Sequence, residues 1–216
     1  MDKAATVRRA ASYVAQRRGV DVAEHYARAW FEAGDPRTLE WALAAGAVVP
    51  HAEVAALLAD PDPARRRIGA RALARFDLTD GAVAALVALL DDPEAATQAT
   101  KTLAGSWVWN YADLEQQWSS ADSVKRLRLW RLLSSRGGWD RVRAGLMAAA
   151  DTAAVVAGQG QADLTIWLQH AAARMWRAPT AEQLADLTRL LAADAIDQGL
   201  RSEIEFRIRL LLNPVG

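Results

Sequence analysis

Helix-stopping residues recur along the chain at short intervals, and between them apolar residues repeat at three and four positions. Gly19, Gly34, Gly46 and the pair Gly137-Gly138 close such stripes, while Asp35-Pro36, Asp62-Pro63 and Asp92-Pro93 open the next ones. Glycine accepts the left-handed backbone that ends a helix. An aspartate followed by proline starts one, because the carboxylate caps free N–H groups and proline suits the first helical position. Asp21 with Glu24, and Thr180 with Gln183, have the spacing of capping boxes. Alternation of apolar and polar residues never persists, so strands are not expected. Helices of about ten to fifteen residues, joined by turns of about two to five, must lie antiparallel to their neighbours.

The first helix is expected over Asp2–Arg18, with Val7, Ala11 and Val14 inward. Helix 2 runs from Asp21 to Gly34, helix 3 from Asp35 to Gly46, and helix 4 covers His51–Ala59. Helix 5 opens at Asp62 and buries Ile68, Ala72, Leu73 and Phe76. Helix 6 covers Asp80–Leu90, and helix 7 runs from Asp92 to Leu103. Helix 8 carries Trp107, Tyr111, Leu114 and Trp118 at helical spacing. Helix 9 covers Ser123–Arg136, and helix 10 buries Trp139, Val142 and Leu146. A short piece at residues 153–157 is expected to break at Gly158-Gln159-Gly160, before helix 11 over Ala162–Arg177. Trp167 faces inward on that helix. Helix 12 follows Thr180, and the last helix stops at Asn213-Pro214.

An internal repeat distinguishes an open stack from a closed bundle. Leu57-Leu58-Ala59-Asp60-Pro61-Asp62-Pro63 leads into Arg67-Ile68-Gly69-Ala70-Arg71-Ala72-Leu73. Further on, Leu89-Leu90-Asp91-Asp92-Pro93 leads into a second helix ending at Leu103, without the arginine. The pattern of Leu-Leu, Asp-Pro turn, arginine and small residues resembles HEAT repeats, specifically over residues 57–103. The resemblance implies an all-α fold, an α-solenoid of about six antiparallel helix pairs preceded by one N-terminal helix. The pairs are 22–46, 51–76, 80–104, 107–136, 139–177 and 181–212, in a single repeat domain over 1–216. Gly69, Ala72 and Ala99 are small enough for helices to approach closely. The resemblance also implies that the second helix of each pair lines a concave surface.

Composition narrows the chemistry. With 26 basic and 26 acidic residues the net charge is zero, unlike a typical nucleic-acid binder, although a local basic face stays open. The chain has no cysteine, which excludes disulfides, thiolate metal sites and cysteine nucleophiles. The amphipathic start, with Arg8, Arg9, Arg17 and Arg18, resembles neither a secretion signal nor a membrane span, so a cytoplasmic protein is expected. Ala/Arg/Asp-rich, Lys-poor usage suggests a GC-rich bacterial genome.

Arg67, Arg71 and Arg75 fall at i, i+4 and i+8 on helix 5, with no acidic residue from Pro63 to Phe76. Helix 9 carries Lys125, Arg126, Arg128, Arg131 and Arg136, and helix 11 carries His170, Arg174 and Arg177. These three are the second helices of their pairs, so their charge is placed to gather on one face. Three readings stand beside one another: Arg67 pairs with the turn aspartates, the arginines bind an acidic protein or peptide, or they bind nucleic-acid phosphates. Of the nine tryptophans, Trp30, Trp107, Trp118, Trp139 and Trp167 fall on core stripes. Trp41, Trp109, Trp130 and Trp176 lie off them, and exposed tryptophan beside arginine makes a binding hot spot or a base-stacking platform.

A more local resemblance is to HEAT-like alkylpurine DNA glycosylases. Trp109 and Asp113 stand one helical turn apart, and Ile166–Ala172 resembles that family's arginine-bearing helix with His170 in the arginine's place. The resemblance implies a carboxylate that stabilises an oxocarbenium ion as a cationic base leaves. The dispersed His25, His51 and His170 give no metal motif, and Gly158-Gln159-Gly160 is no phosphate loop. No cofactor and no membrane are expected. The preferred reading is a non-enzymatic binding module using Arg67, Arg71, Arg75, Arg128, Arg131, Trp130, Arg174 and Trp176 to hold an acidic protein or peptide. A DNA-binding protein or glycosylase is the alternative.

Overall fold

The computed structural model describes residues 3–106, 108–171 and 177–212. Trp107, Arg174, Trp176 and the expected stop at Asn213-Pro214 lie outside them. Among the described residues all regular structure is helical. The chain divides into two compact units, Met1–Val108 and Trp109–Gly216.

The first unit contains α1 (Lys3–Arg17), α2 (Val22–Ala33), α3 (Pro36–Ala44), α4 (His51–Ala56), α5 (Pro63–Leu73), α6 (Asp80–Ala88) and α7 (Ala96–Gly105), with a tight 3₁₀ turn after α4 and after α6. The caps read from the sequence form here. Asp21, Asp35 and Asp62 accept hydrogen bonds from the N–H groups of Glu24, Arg37 and Ala64. Gly34 closes α2 at φ +65°, its N–H returning to the Trp30 carbonyl at 2.8 Å. Helix α2 packs on α3, α4 on α5, and α6 on α7, while α5 also packs on both α3 and α7. The core is aliphatic, with Leu39, Leu73, Leu86, Leu90 and Leu103 fully buried. Gly69 sets the distance between α5 and the 3₁₀ turn after α4, because a Cβ there would stand 2.7 Å from the Leu57 Cβ. Thr102, a buried polar residue of α7, donates to the Ala70 carbonyl of α5 at 2.7 Å, so its hydroxyl is paired.

The second unit contains α8 (Tyr111–Trp118), α9 (Ser123–Ser134), α10 (Gly138–Ala149), α11 (Ala154–Ala171), α12 (Ala181–Leu191) and α13 (Gln198–Leu212). Helix α10 packs on α9, α11 and α12, and α11 also packs on α9. Trp139, Val142, Leu146, Leu164, Leu168, Leu187 and Ile204 share one core. The capping box of Thr180 and Gln183 is formed.

Two expectations are corrected in this unit. Helix α11 runs unbroken through Gly158 and Gly160. Gly160 serves close packing: a Cβ on it would lie 2.5 Å from the Ala148 Cβ and 2.9 Å from the Ala149 nitrogen. Opposite it, Gly145 of α10 receives Leu164, whose Cδ2 would stand 2.9 Å from an added Cβ. The helix therefore accepts about 1 kcal/mol per glycine in backbone entropy and gains a closer α10–α11 contact. Trp167 is only half-buried at the edge of the core, with the Arg141 guanidinium 5.3 Å from its ring centre.

Gly160→Ala forces α10 and α11 apart against backbone atoms and should cost about 1–3 kcal/mol. Gly158 has open space around it, so Gly158→Ala should be neutral or stabilise by up to about 1 kcal/mol. Urea denaturation of the two variants reads this difference directly.

Candidate functional site

The run Arg65-Arg66-Arg67 opens α5, and the three guanidinium groups go three ways. Arg65 donates to the Gly34 carbonyl at 2.6 Å, closing the end of α2, and pairs with Asp60 at 3.1 Å. Arg66 donates to the Asp60 and Pro61 carbonyls and grips Asp92 at 2.6 Å. Arg67 is exposed. The pairing expected between Arg67 and the turn aspartates is thus carried by its two predecessors, since each step along a helix rotates a side chain by about 100°. Asp92 performs two functions at once. Its other oxygen accepts from the Glu94 and Ala95 N–H groups, both at 2.8 Å. Burial works to raise its pKa, but those N–H groups and Arg66 outweigh it and hold the carboxyl below its ordinary value.

Arg67 and Arg71 are exposed along α5, and Arg75 is exposed in the turn that follows its end at Leu73. Arg71 leans to Glu40 of α3 at 2.9 Å, with its side chain still 65% exposed. Arg75 donates to the Leu43 carbonyl at the end of α3 at 2.8 Å. Lys101 of α7, also exposed, lines with Arg75 a surface hollow of about 490 Å³ between the C-terminal ends of α5 and α7. Four exposed cations, Arg67 and Arg71 on α5, Arg75 just past its end and Lys101 on α7, thus belong to the first unit, with Glu40 and Asp77 as counter-charges.

The second unit ties down most of its arginines. Arg126 bonds Asp151 at 3.0 and 3.2 Å and returns to the Trp118 carbonyl. Asp151 also accepts from the Trp118 indole N–H at 2.9 Å. Arg143 bridges Glu115 of α8 and Asp186 of α12, at 2.7 and 2.6 Å, and lies over the Tyr111 ring. Burial pushes the Tyr111 phenol up, against the pull of the Arg143 charge. Arg128 is half-buried and already engaged, whereas Arg131 is exposed.

The aromatic part of the expected surface does not survive. Trp130 is buried on α9 rather than presented to a partner, because α9 packs against α8, α10 and α11 and leaves little free circumference. Trp41 is half-buried against Tyr26, with ring centres 5.6 Å apart. No described tryptophan is exposed. Trp109 is 3% exposed and precedes α8, which begins only at Tyr111 because the Asn110 side chain caps the Ala112 N–H. The helical i, i+4 relation assumed for Trp109 and Asp113 is therefore absent. Arg136 lies over the Trp109 ring at 4.3 Å and donates to its carbonyl, while Asp113 and His170 are exposed. Trp109 is a packing residue.

Among the described residues no group of three His, Asp or Glu is placed to hold a metal, and no helix is long and apolar enough to cross a membrane. A signal present in the sequence identifies the tied arginines: Asp62–Arg66, Asp122–Arg126 and Asp197–Arg201 share a four-residue spacing at the start of α5, α9 and α13. That spacing places the arginine one turn above its capping aspartate, beside the turn it grips.

Asp92→Asn removes a carboxylate that holds three donors and should cost about 2–3 kcal/mol at neutral pH, the range for charged hydrogen bonds lost from a poorly exposed site. Its folded pKa is depressed, so its contribution is full above the unfolded value of ~4 and disappears as pH falls through the folded one. Below that range the variant and the parent should converge in stability, which urea titrations at several pH values would reveal. Comparison with protein-family models, curated proteins and solved structures finds no match, so function is argued from these residues.

Proposed function

We propose that the chain is a non-enzymatic, HEAT-like binding module whose exposed arginine stripe on α5 holds an acidic protein or peptide. The pairing of α2 with α3, α4 with α5, and α6 with α7, with α5 touching both α3 and α7, supports a stack of helix pairs in the first unit. In the second unit, α11 packs on α9, and Arg207 of α13 donates to the Leu168 carbonyl of α11, in keeping with the same arrangement. Six pairs, 22–46, 51–76, 80–104, 107–136, 139–177 and 181–212, follow on this reading.

The observation that carries the binding role is the contrast between arginines. Arg65, Arg66, Arg126 and Arg143 are bound to carboxylates or carbonyls, whereas Arg67 is exposed and Arg71 has one exposed ion pair. Exposed pairs contribute little to stability, so these side chains are available at small cost. Exposed Arg131 supplies a second cationic position, on α9. Arg75 and Lys101 at the hollow suit a carboxylate-bearing side chain, and the zero net charge favours an acidic polypeptide over the long phosphate track of nucleic acid. A base-excision glycosylase has less support, since Trp109 is buried and off the helix that carries Asp113.

Charge reversal at Arg67 and Arg71 together should weaken binding of a fluorescent glutamate-rich peptide at least tenfold while moving Tm by no more than about 2 °C, as exposed substitutions do. A DNA duplex titrated alongside should bind weakly. A double variant that binds the peptide like the parent defeats the proposal. Tight duplex binding with a steep salt dependence would install the DNA reading instead.

A further inference from the structure

The Asp-x-x-x-Arg unit occurs three times, and its third copy is incomplete. In the first two, the capping aspartate opens the helix and the arginine returns to carbonyls at the end of the preceding helix. The same guanidinium then takes an aspartate from the entry turn of the next second helix. Arg66 takes Asp92, and Arg126 takes Asp151. Both acceptor aspartates also cap their own turns, Asp92 on Glu94 and Ala95, and Asp151 on Ala153.

Asp197 caps α13 through the Gly199 and Leu200 N–H groups, and Arg201 returns to the Ala193 carbonyl at 3.0 Å. Among the described residues no second aspartate completes this copy. The Arg201 Nε is buried and unpartnered. Arg201 lines an open groove of about 420 Å³ between α12 and α13, with Leu184, Leu191 and Ile208 as apolar wall and Glu205 and Arg209 beside them. Along α13, Phe206 and Leu210 are exposed.

We infer that this groove is a second docking surface, which takes a partner helix entered by a capping aspartate. Arginine only donates hydrogen bonds, so its missing partner is an acceptor, and the two completed copies specify a carboxylate in a helix-opening turn. The apolar wall requires a helix that presents leucine-like residues at i, i+3 and i+4 behind that turn. The inference goes beyond the α5 stripe and uses none of its residues.

The test uses the full chain and a fluorescent peptide of its own segment Leu89–Gly105, stapled on its polar face to hold the helix. This segment carries Asp92 and is the element that Arg66 accepts. The peptide should bind, and Asp92→Asn in the peptide or Arg201→Gln in the protein should each weaken it at least tenfold. Thr188→Phe, which fills the groove and leaves Arg201 in place, should have the same effect if Arg201→Gln does not fold. Charge reversal at Arg67 and Arg71 should leave this binding unchanged, which separates the groove from the α5 stripe. Equal binding of the parent peptide and its Asp92→Asn form, unchanged affinity in the Arg201 or Thr188 variants, or no binding at all overturns the inference. So does self-association that Thr188→Phe abolishes, because the occupant would then be a second copy of the chain.

Discussion

A carboxylate in a helix-opening turn that serves two helices at once is the interaction on which the packing depends. Asp92 and Asp151 each neutralise the N–H groups of their own turn and receive the arginine that opens an earlier helix. Both are poorly exposed, with side chains at 9% and 2%. A buried charge of this kind is costly unless its oxygens are filled, and here backbone, indole and guanidinium groups fill them. Because one carboxylate joins two elements, a shift of either helix breaks both sets of hydrogen bonds. Register between neighbouring pairs is thereby fixed by polar geometry, while the leucines between them supply non-directional cohesion.

The same requirement sorts the charged residues. Arg66 and Arg126, each at the fourth position after a cap, are held by the fold, and so is Arg143, which spans α8 and α12 through Glu115 and Asp186. Arg67, Arg71 and Lys101 in one unit, and Arg131 in the other, are exposed and lie outside these turn contacts. The zero net charge conceals this division, since many acids are spent on internal partners rather than on balancing the exposed stripe.

How much was legible follows from where the information lies. Caps and stops are local, so Asp35, Asp62, Thr180 and Gly34 announce helix boundaries that the structure reproduces. The i, i+4, i+8 arginines are equally readable, because exposure along one helix face follows from its period. Gly158 and Gly160 misled because glycine weakens a helix locally, whereas the packing of α11 on α10 holds the helix through both, with Gly160 in close contact with Ala148 and Gly158 in open space. Trp109 misled through Asn110, whose cap delays the start of the helix and removes the tryptophan from the face of Asp113. Trp130, off the main apolar stripe of α9, is buried because three helices, α8, α10 and α11, surround that helix.

The three consecutive arginines of α5 show why a charge run is a poor description of a surface. At about 100° per residue, Arg65, Arg66 and Arg67 point to three different neighbourhoods: the end of α2, the turn before α7, and solvent. Four residues advance a side chain by about 400°, a net drift of about 40°, so Arg71 rotates away from the direction of Arg67, and Arg75 follows in the turn beyond the helix end. Their contacts follow that drift: Arg67 is exposed, Arg71 reaches Glu40, and Arg75 meets the Leu43 carbonyl at the end of α3. Availability is therefore graded along the stripe. A partner carboxylate at Arg67 displaces only water, one at Arg71 competes with a solvent-weakened ion pair, and one at Arg75 must share a guanidinium that already closes a helix. Arg67 is the exposed member of the run, while Arg65 and Arg66 are held by the turns around them.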